Sequence, residues 1–217
     1  MALSKRLQTV LDFVDVNDKV ADIGADHGYL VIAMQELGVS FLQVVENKKG
    51  PLDRAKHNLR DFDNVIFSLS DGISDIDPNI DTVTICGMGG LNIVEILNNN
   101  LDTAKKLKKI IMQGNSKTYE LREFLINNGF SIDDEEIVED SDKYYEIIVS
   151  SYKGSQEKIS YHELLFGPVL LKKKSDTFVK YYQFVKNNIN LIIESNENIE
   201  FNELKNKLDL IDKYIGE

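Results

Sequence analysis

Through about the first 150 residues, short apolar bursts alternate with amphipathic stretches. This is the pattern of strands and helices taking turns, and it predicts an α/β layout around a mainly parallel sheet. The bursts KVADIG (19–24), FLQVVE (41–46), VIFSL (65–69), TVTICG (82–87) and KIIMQG (109–114) predict five strands. Helices are expected between them over residues 29–37, 51–59, 90–97 and 116–127. After the third strand only DGISDIDPN follows, so the alternation weakens there. Two further segments, GFSIDDEEIVED (129–140) and KYYEIIVSSYK (143–153), flank the turn-prone DSD and predict an antiparallel hairpin.

From about Gly154 the period changes. Apolar residues fall at Phe178, Tyr182, Val185, Ile189 and Ile192, and after the polar break ESNEN they resume at Phe201, Leu204, Leu208, Ile211 and Ile215. Spacings of three and four predict two helices joined by a short loop, a coiled-coil-like antiparallel hairpin. The alternative is that both stripes pack on the main domain. The expected division is a sheet domain over residues 1–153 and a helical domain over 154–217. Five parallel strands closed by an antiparallel hairpin is the arrangement of Rossmann-like class I methyltransferases; doubly wound dehydrogenases end on another parallel strand.

Composition narrows the classes. At 217 residues the chain can bury a real core, and its 42% hydrophobic and 28% charged residues are those of a soluble globular protein. There is no apolar run long enough to span a bilayer and no signal-peptide pattern at the start, so the expectation is a cytoplasmic protein without membrane contact. One cysteine, Cys86, and three scattered histidines predict no disulfide and no metal site. A formal charge of -11 argues against indiscriminate coating of nucleic acid. The charge is polarised, however: residues 151–186 carry seven lysines against three acids, and residues 187–217 carry three against seven.

The chemistry centres on KVADIGADHGYL, a strand, a loop with Gly24 and Gly28, and a helix start. Between those glycines stands Asp26, a carboxylate that would repel the pyrophosphate of a dinucleotide. A sulfonium donor carries no phosphate but has a positive centre and an α-amino group, so S-adenosylmethionine fits this loop better than NAD. Glu46 ends the second strand 22 positions beyond Gly24, where an acid can hold both ribose hydroxyls. Asp71 and Gly72 end the third strand, suited to the adenine amine and to close backbone approach to the ring. CGMGG ends the fourth and opens the backbone, through Gly87 and Met88, where a methyl acceptor would sit. Each of these could also be a turn or cap residue; their succession at strand ends points to a methyltransferase.

The agreement extends beyond the fold. LSKRL (3–7), VADIGADHGYL (20–30), NKKGP (47–51), SDGI (70–73), TICGMGG (84–90), MQGN (112–115) and ELLFGPVLL (163–171) resemble, in order, the bacterial tRNA (adenine-22-N1)-methyltransferase family. The resemblance implies S-adenosylmethionine as donor, a Rossmann-like N-terminal domain, a helical C-terminal domain that grips tRNA, and methylation of adenine N1 at position 22. It carries Asn47 into the cofactor site beside Gly24, Asp26, Gly28, Glu46, Asp71, Gly72, Gly87 and Met88. The chain departs from the family at Gln113-Gly114-Asn115, where Gln-Pro-Asn is expected. Gly114 is expected to loosen that loop, which weakens Asn115 as a substrate contact.

Adenine N1 has a free lone pair, so positioning outweighs general-base catalysis. An acceptor at the exocyclic amine would stabilise the positive charge that methylation leaves. Asp26 and the CGMGG carbonyls are the candidates, with Asp26 equally suited to the cofactor's amino group. His27 would touch base or phosphate, or make a local hydrogen bond. Tyr29 would stack on a flipped base, or pack its helix. Cys86 reads as buried structure rather than nucleophile. For RNA, Lys5, Arg6, Lys48, Lys49 and the run Lys172, Lys173 and Lys174 would form a phosphate-tracking face. No protein partner is implied, and the expected state is a monomer or weak dimer. Competing functions are methylation of another RNA position or of a small molecule, a nucleotide-cofactor dehydrogenase, and a non-catalytic RNA-binding module.

Overall fold

The structure, a computed structural model, describes residues 3–155, 158–195 and 202–216. Helix α1 (Lys5–Leu11) precedes β1 (Lys19–Ile23), α2 (Tyr29–Leu37), β2 (Phe41–Glu46), α3 (Lys49–Asn58) and β3 (Val65–Leu69). Then come β4 (Thr82–Met88), α4 (Gly90–Asn99), the single turn α5 (Leu101–Ala104), β5 (Lys109–Gly114), α6 (Thr118–Asn127), and the strands β6 (Phe130–Asp140) and β7 (Lys143–Tyr152). The seven strands form one sheet in the order β3-β2-β1-β4-β5-β7-β6. β1 to β5 pair in parallel and β7 joins β5 and β6 antiparallel, so the expected Rossmann-like sheet with its terminal hairpin is present. The reversal of order at β1, between β2 and β4, opens the crevice in which such sheets bind ligands.

The central strands are apolar almost throughout because both sheet faces are covered. Alternate residues serve opposite cores: Ile110 and Met112 join Ile85, Ile93, Leu97, Leu121 and Leu125 under α4 and α6. Ile111 joins Val10, Leu30, Met34, Leu52 and Ala55 under α1, α2 and α3. The amphipathic sequence of α1 was not recognisable as a helix in a seven-residue stretch; Ser4 caps it by accepting from the Leu7 amide.

Among the described residues four helices follow the sheet: α7 (Tyr161–Phe166), α8 (Pro168–Lys173), α9 (Asp176–Glu194) and α10 (Asn202–Tyr214). Only the last two were predicted. The ESNEN break from residue 196 onward, and Phe201 of the second seam, lie outside the described residues. Lys186 pairs with Asp212, and Phe166 packs against both Tyr182 and Tyr214, so the end of α10 lies beside the middle of α9. The hairpin is not free-standing at that end: Phe166, Leu170, Phe178, Tyr182 and Ile211 share a core with Ile137 of β6.

A buried ionic joint fixes this packing. Arg122 of α6 is fully buried and bonds Glu135 of β6 at 2.6 Å, Glu146 of β7, and the Leu164 carbonyl at the end of α7. Burial opposes its charge, but the two carboxylates outweigh burial and hold the guanidinium protonated, its pKa above the ordinary value. The other Glu135 oxygen accepts from the Val169 amide at 2.9 Å, at the start of α8. Gly167 has φ +89°, and a Cβ there would lie 2.7 Å from that carboxylate. This accounts for the FGP sequence between the two helices: Gly makes the approach and Pro begins the next helix.

Candidate active site

The carboxyl ends of β1, β2, β3 and β4 converge on a cavity of about 510 Å3 lined by Gly24, Asp26, Glu46, Asn47, Asp71, Gly72 and Met88, among others. A second cavity of about 330 Å3, lined by Arg6, Asp22, Gly24, Asp26, His27, Tyr29, Cys86 and Gly87, adjoins it across the shared Gly24 and Asp26. Nearly all the predicted cofactor residues are therefore gathered at one edge of the sheet. Gly28, at φ +73°, lies under them as the buried N-cap of α2, packed toward Leu59. Gly24 has φ +74°, a conformation that favours glycine, and a Cβ there would meet the Met88 methyl at 2.4 Å, so any other residue would strain the backbone and displace the end of the Met88 side chain.

Glu46 is buried, and its carboxylate accepts from the backbone amide of Asp26. Burial raises its pKa; the Asp26 amide opposes this and the Asp26 charge adds to it. The Asp26 side chain turns away from Glu46, to Arg54 at 2.9 Å, and stays well exposed. Its backbone has φ +47°, in the left-handed region that Asp tolerates better than most side chains. Part of the reason for an acid at this position is thus conformational. His27 stacks on Tyr29 with ring centroids 5.4 Å apart, and the pair faces the second cavity. Asn47 reaches Asp71 at 3.5 Å, joining two predicted adenosine contacts.

At the end of β4 the pairing with β5 slips: Cys86 faces Gln113, Met88 faces Gly114, and Gly87 bulges out between them. The bulge is fixed from two sides. Gln113, fully buried, accepts from the Gly87 amide at 3.0 Å and from the Arg6 guanidinium, and donates to Asn115 at 3.0 Å. Asn115 returns the circuit, its side-chain amide donating to the Gly87 carbonyl at 2.8 Å and its backbone amide to the Met88 carbonyl at 2.7 Å. The expectation that Gly114 loosens this loop is corrected. Gly114 is buried within β5, opposite Glu146, and Asn115 is one of the most firmly bonded residues of the edge.

Asp22, Gln113 and Arg54 escaped the sequence reading. Asp22 is buried in β1 and accepts from the Thr84 hydroxyl at 2.6 Å. Burial, with a smaller push from Glu46, raises its pKa to about 6. The available signal was a polar residue interrupting an apolar strand, at both Asp22 and Gln113. The Cys86 thiol is pushed up by burial and then by the Asp22 charge, which leaves it inert as a nucleophile at neutral pH.

The predicted RNA contacts divide. Lys5, Lys48 and Lys49 are exposed on the cofactor edge or near it. Arg6 instead turns inward, its guanidinium on Gln113 and 5.3 Å from the Tyr145 ring centroid. Lys172 is exposed, but Lys173 bonds Asp134 at 2.7 Å, Glu136 at 3.2 Å and the Glu135 carbonyl, which fastens α8 to β6. Lys174 ends α8 with φ +44°. The three lysines thus do not form one outward row. Among the described residues no group of three or more His, Cys, Asp or Glu could hold a metal ion, and no helix is long and apolar enough to cross a membrane.

A family model described as tRNA (adenine(22)-N(1))-methyltransferase matches residues 20–213. The Bacillus subtilis protein of that name is 29% identical, over 99% of this chain and 98% of its own length. Among solved structures, Streptococcus pneumoniae Sp1610 in complex with S-adenosyl-L-methionine is 30% identical with a TM-score of 0.88, covering 99% of this chain and 100% of the other. M. capricolum TrmK in complex with S-adenosyl-homocysteine is 28% identical with a TM-score of 0.86, covering 99% and 98%.

Proposed function

The chain belongs to the tRNA (adenine(22)-N(1))-methyltransferase family, and we propose that its two adjoining strand-end cavities hold S-adenosylmethionine with the methyl directed at the Gly87 bulge. The protein is an S-adenosylmethionine-dependent enzyme that methylates N1 of adenine 22 in tRNA. The observation that carries the assignment of the site is the convergence of Gly24, Glu46, Asp71, Gly72 and Met88 on one cavity that adjoins, across Gly24 and Asp26, a second beside Gly87.

The donor set suits the cofactor. Glu46 takes the ribose hydroxyls, and Asp71 with Asn47 takes the adenine amine over Gly72. In the second cavity Asp22 and Asp26 offer negative charge to the amino acid end. When bound, the cofactor supplies an electrophilic methyl on a positive sulfur. The chain's own part is to position the acceptor. Gln113 and Asn115 hold the Gly87 peptide rigid, so its carbonyl can accept from the exocyclic amine as positive charge spreads onto the base. Asp26, bonded to Arg54, is less suited to that task than this backbone carbonyl. Tyr29 and His27 offer a stacked surface for the base, and Arg6 orients Gln113 rather than tracking phosphate. In this reading residues 1–153 carry the cofactor, residues 154–217 contact tRNA, Lys5, Lys48, Lys49, Lys172 and Lys174 meet phosphates, and the protein works in the cytoplasm.

The test is transfer of a labelled methyl group to unmodified tRNA, followed by nucleoside analysis. The expected product is 1-methyladenosine at position 22; a different methylated nucleoside overturns the reading. Glu46→Ala should weaken cofactor binding by calorimetry about 10- to 100-fold, since hydrogen bonds to a charged group contribute roughly 1.5–3 kcal/mol. Unchanged affinity would remove Glu46 from the site.

A further inference from the structure

Beyond the methyl-transfer cavities, a third opening of about 420 Å3 lies between the start of β7 and the middle of α9. Its walls are Tyr144 and Tyr145 of β7, Tyr181 and Phe184 of α9, and Asn115. Tyr144 stands 5.3 Å from Tyr181 and 5.8 Å from Phe184 by ring centroid, with interplanar angles of 43° and 40°. Tyr181 and Phe184, three apart, share a helix face. The buried seam of α9 runs through Phe178, Tyr182 and Ile189 and does not include Phe184, which is 50% exposed. Core packing therefore gives no reason for an aromatic ring there.

Resting on the methyltransferase reading above, we infer that this cleft is a stacking site for a nucleobase next to the target adenine on the same RNA strand. Three observations carry the choice of occupant. The cleft lies beside the acceptor rim, because Asn115 lines it and also bonds the Gly87 carbonyl at 2.8 Å. Aromatic faces combined with a side-chain amide match a base, which has two π faces and a hydrogen-bonding edge; single-stranded recognition relies on that combination. The charges at its edge are Lys143 and Asp142, one of each sign, which disfavours a phosphate and leaves a neutral base as the fitting group. The cleft volume also lies in the roughly 300–1,000 Å3 range of small-ligand sites. Arg6 over Tyr145 ties this wall to the Gln113 circuit, so a base seated here would bear on the same bonds that hold the acceptor rim.

The experiment measures tRNA affinity with cofactor present, for intact tRNA and for tRNA lacking the base at position 21 or at position 23. Phe184→Ala should weaken binding of intact tRNA about tenfold, as loss of one base–aromatic stack does. Phe184→Tyr should restore it and Phe184→Leu should not. Against one of the two abasic tRNAs the Phe184→Ala loss should vanish. Additive losses at both positions, full rescue by Leu, or wild-type affinity in Phe184→Ala would each overturn the site. A shift of Phe184→Ala to a smaller species in sedimentation would mean that a second copy of the chain occupies the cleft, and would overturn it too. Cofactor affinity of the variants, measured alone, confirms folding. Should the wild type bind tRNA with the predicted aromatic dependence but form no 1-methyladenosine, the activity reading fails while the cleft stands.

Discussion

The cofactor edge of the sheet and the joint beneath the helical segment are both built around buried carboxylates, but they handle charge in opposite ways. At the joint every partner is supplied: Arg122 faces two carboxylates and a carbonyl, and Glu135 also takes the amide that opens α8. At the cofactor edge, Asp22 and Glu46 are buried without a cation in direct contact, and burial raises the pKa of both. A saturated cluster holds elements together. An unsaturated acidic one is held ready for a ligand that brings positive charge.

The contrast is broken most severely by Arg122→Ala. Two buried carboxylates would then face each other without a counter-charge, and removing one partner of a buried pair costs about 3–5 kcal/mol. Chemical denaturation should show that loss, and calorimetry on the remaining folded protein should show cofactor affinity within about twofold of wild type. A variant as stable as the parent would mean that the joint is not what fastens α7 and α8.

The complementary test is at Asp22. Its pKa is about 6 in the folded chain against an ordinary 3.8. A raised carboxyl contributes stability that is complete below the lower value and is lost as pH rises through the upper one. The difference corresponds to about 3 kcal/mol. The groups around it are Glu46 on β2, Thr84 and Cys86 on β4, and Arg6 across the second cavity. Asp22→Asn cannot ionise, so the wild type should lose about 2–3 kcal/mol relative to it between pH 4 and pH 7.5 in urea unfolding. Parallel stability curves for the two proteins would contradict a buried, proton-binding Asp22.

The same contrast explains what could be read from the chain. Gly24, Glu46, Asp71 and Gly87 sit at the carboxyl ends of β1, β2, β3 and β4, which lie side by side in the sheet, in the order β3-β2-β1-β4, with all four ends on one edge. Strand periodicity was enough to bring them together. The joint draws Arg122, Glu135 and Glu146 from three separate elements and Gly167 from the link between α7 and α8, and nothing local in the sequence marks an Arg on an amphipathic helix as buried. Lys173 was misread for that reason: a lysine run looks solvated until the acids of β6 are placed beside it. Gln113 and Asn115 were missed as a circuit because the bulge at Gly87 depends on the register between β4 and β5. The short helices α7 and α8 have six residues each, too few for a period to emerge.

The smallest expected effect concerns Asp26, the acid between the two loop glycines. Its backbone amide, not its carboxylate, supports Glu46, and the carboxylate meets Arg54 in an exposed pair. Exposed pairs contribute about 0–1 kcal/mol. Asn keeps the amide and accepts a positive φ about as well as Asp, so Asp26→Asn should change cofactor affinity by less than about tenfold. Asp22→Asn should cost more, because it removes a buried charge at the same cavity. Asp26→Val, which keeps the amide but adds a β-branched side chain at φ +47°, should be worse than Asp26→Asn through backbone strain of about 1–3 kcal/mol. A hundredfold loss for Asp26→Asn in calorimetry, with Val no worse, would reverse this order. It would mean that the carboxylate leaves Arg54 for the cofactor's amino group when the ligand binds, and that charge rather than loop conformation selects the acid at this position.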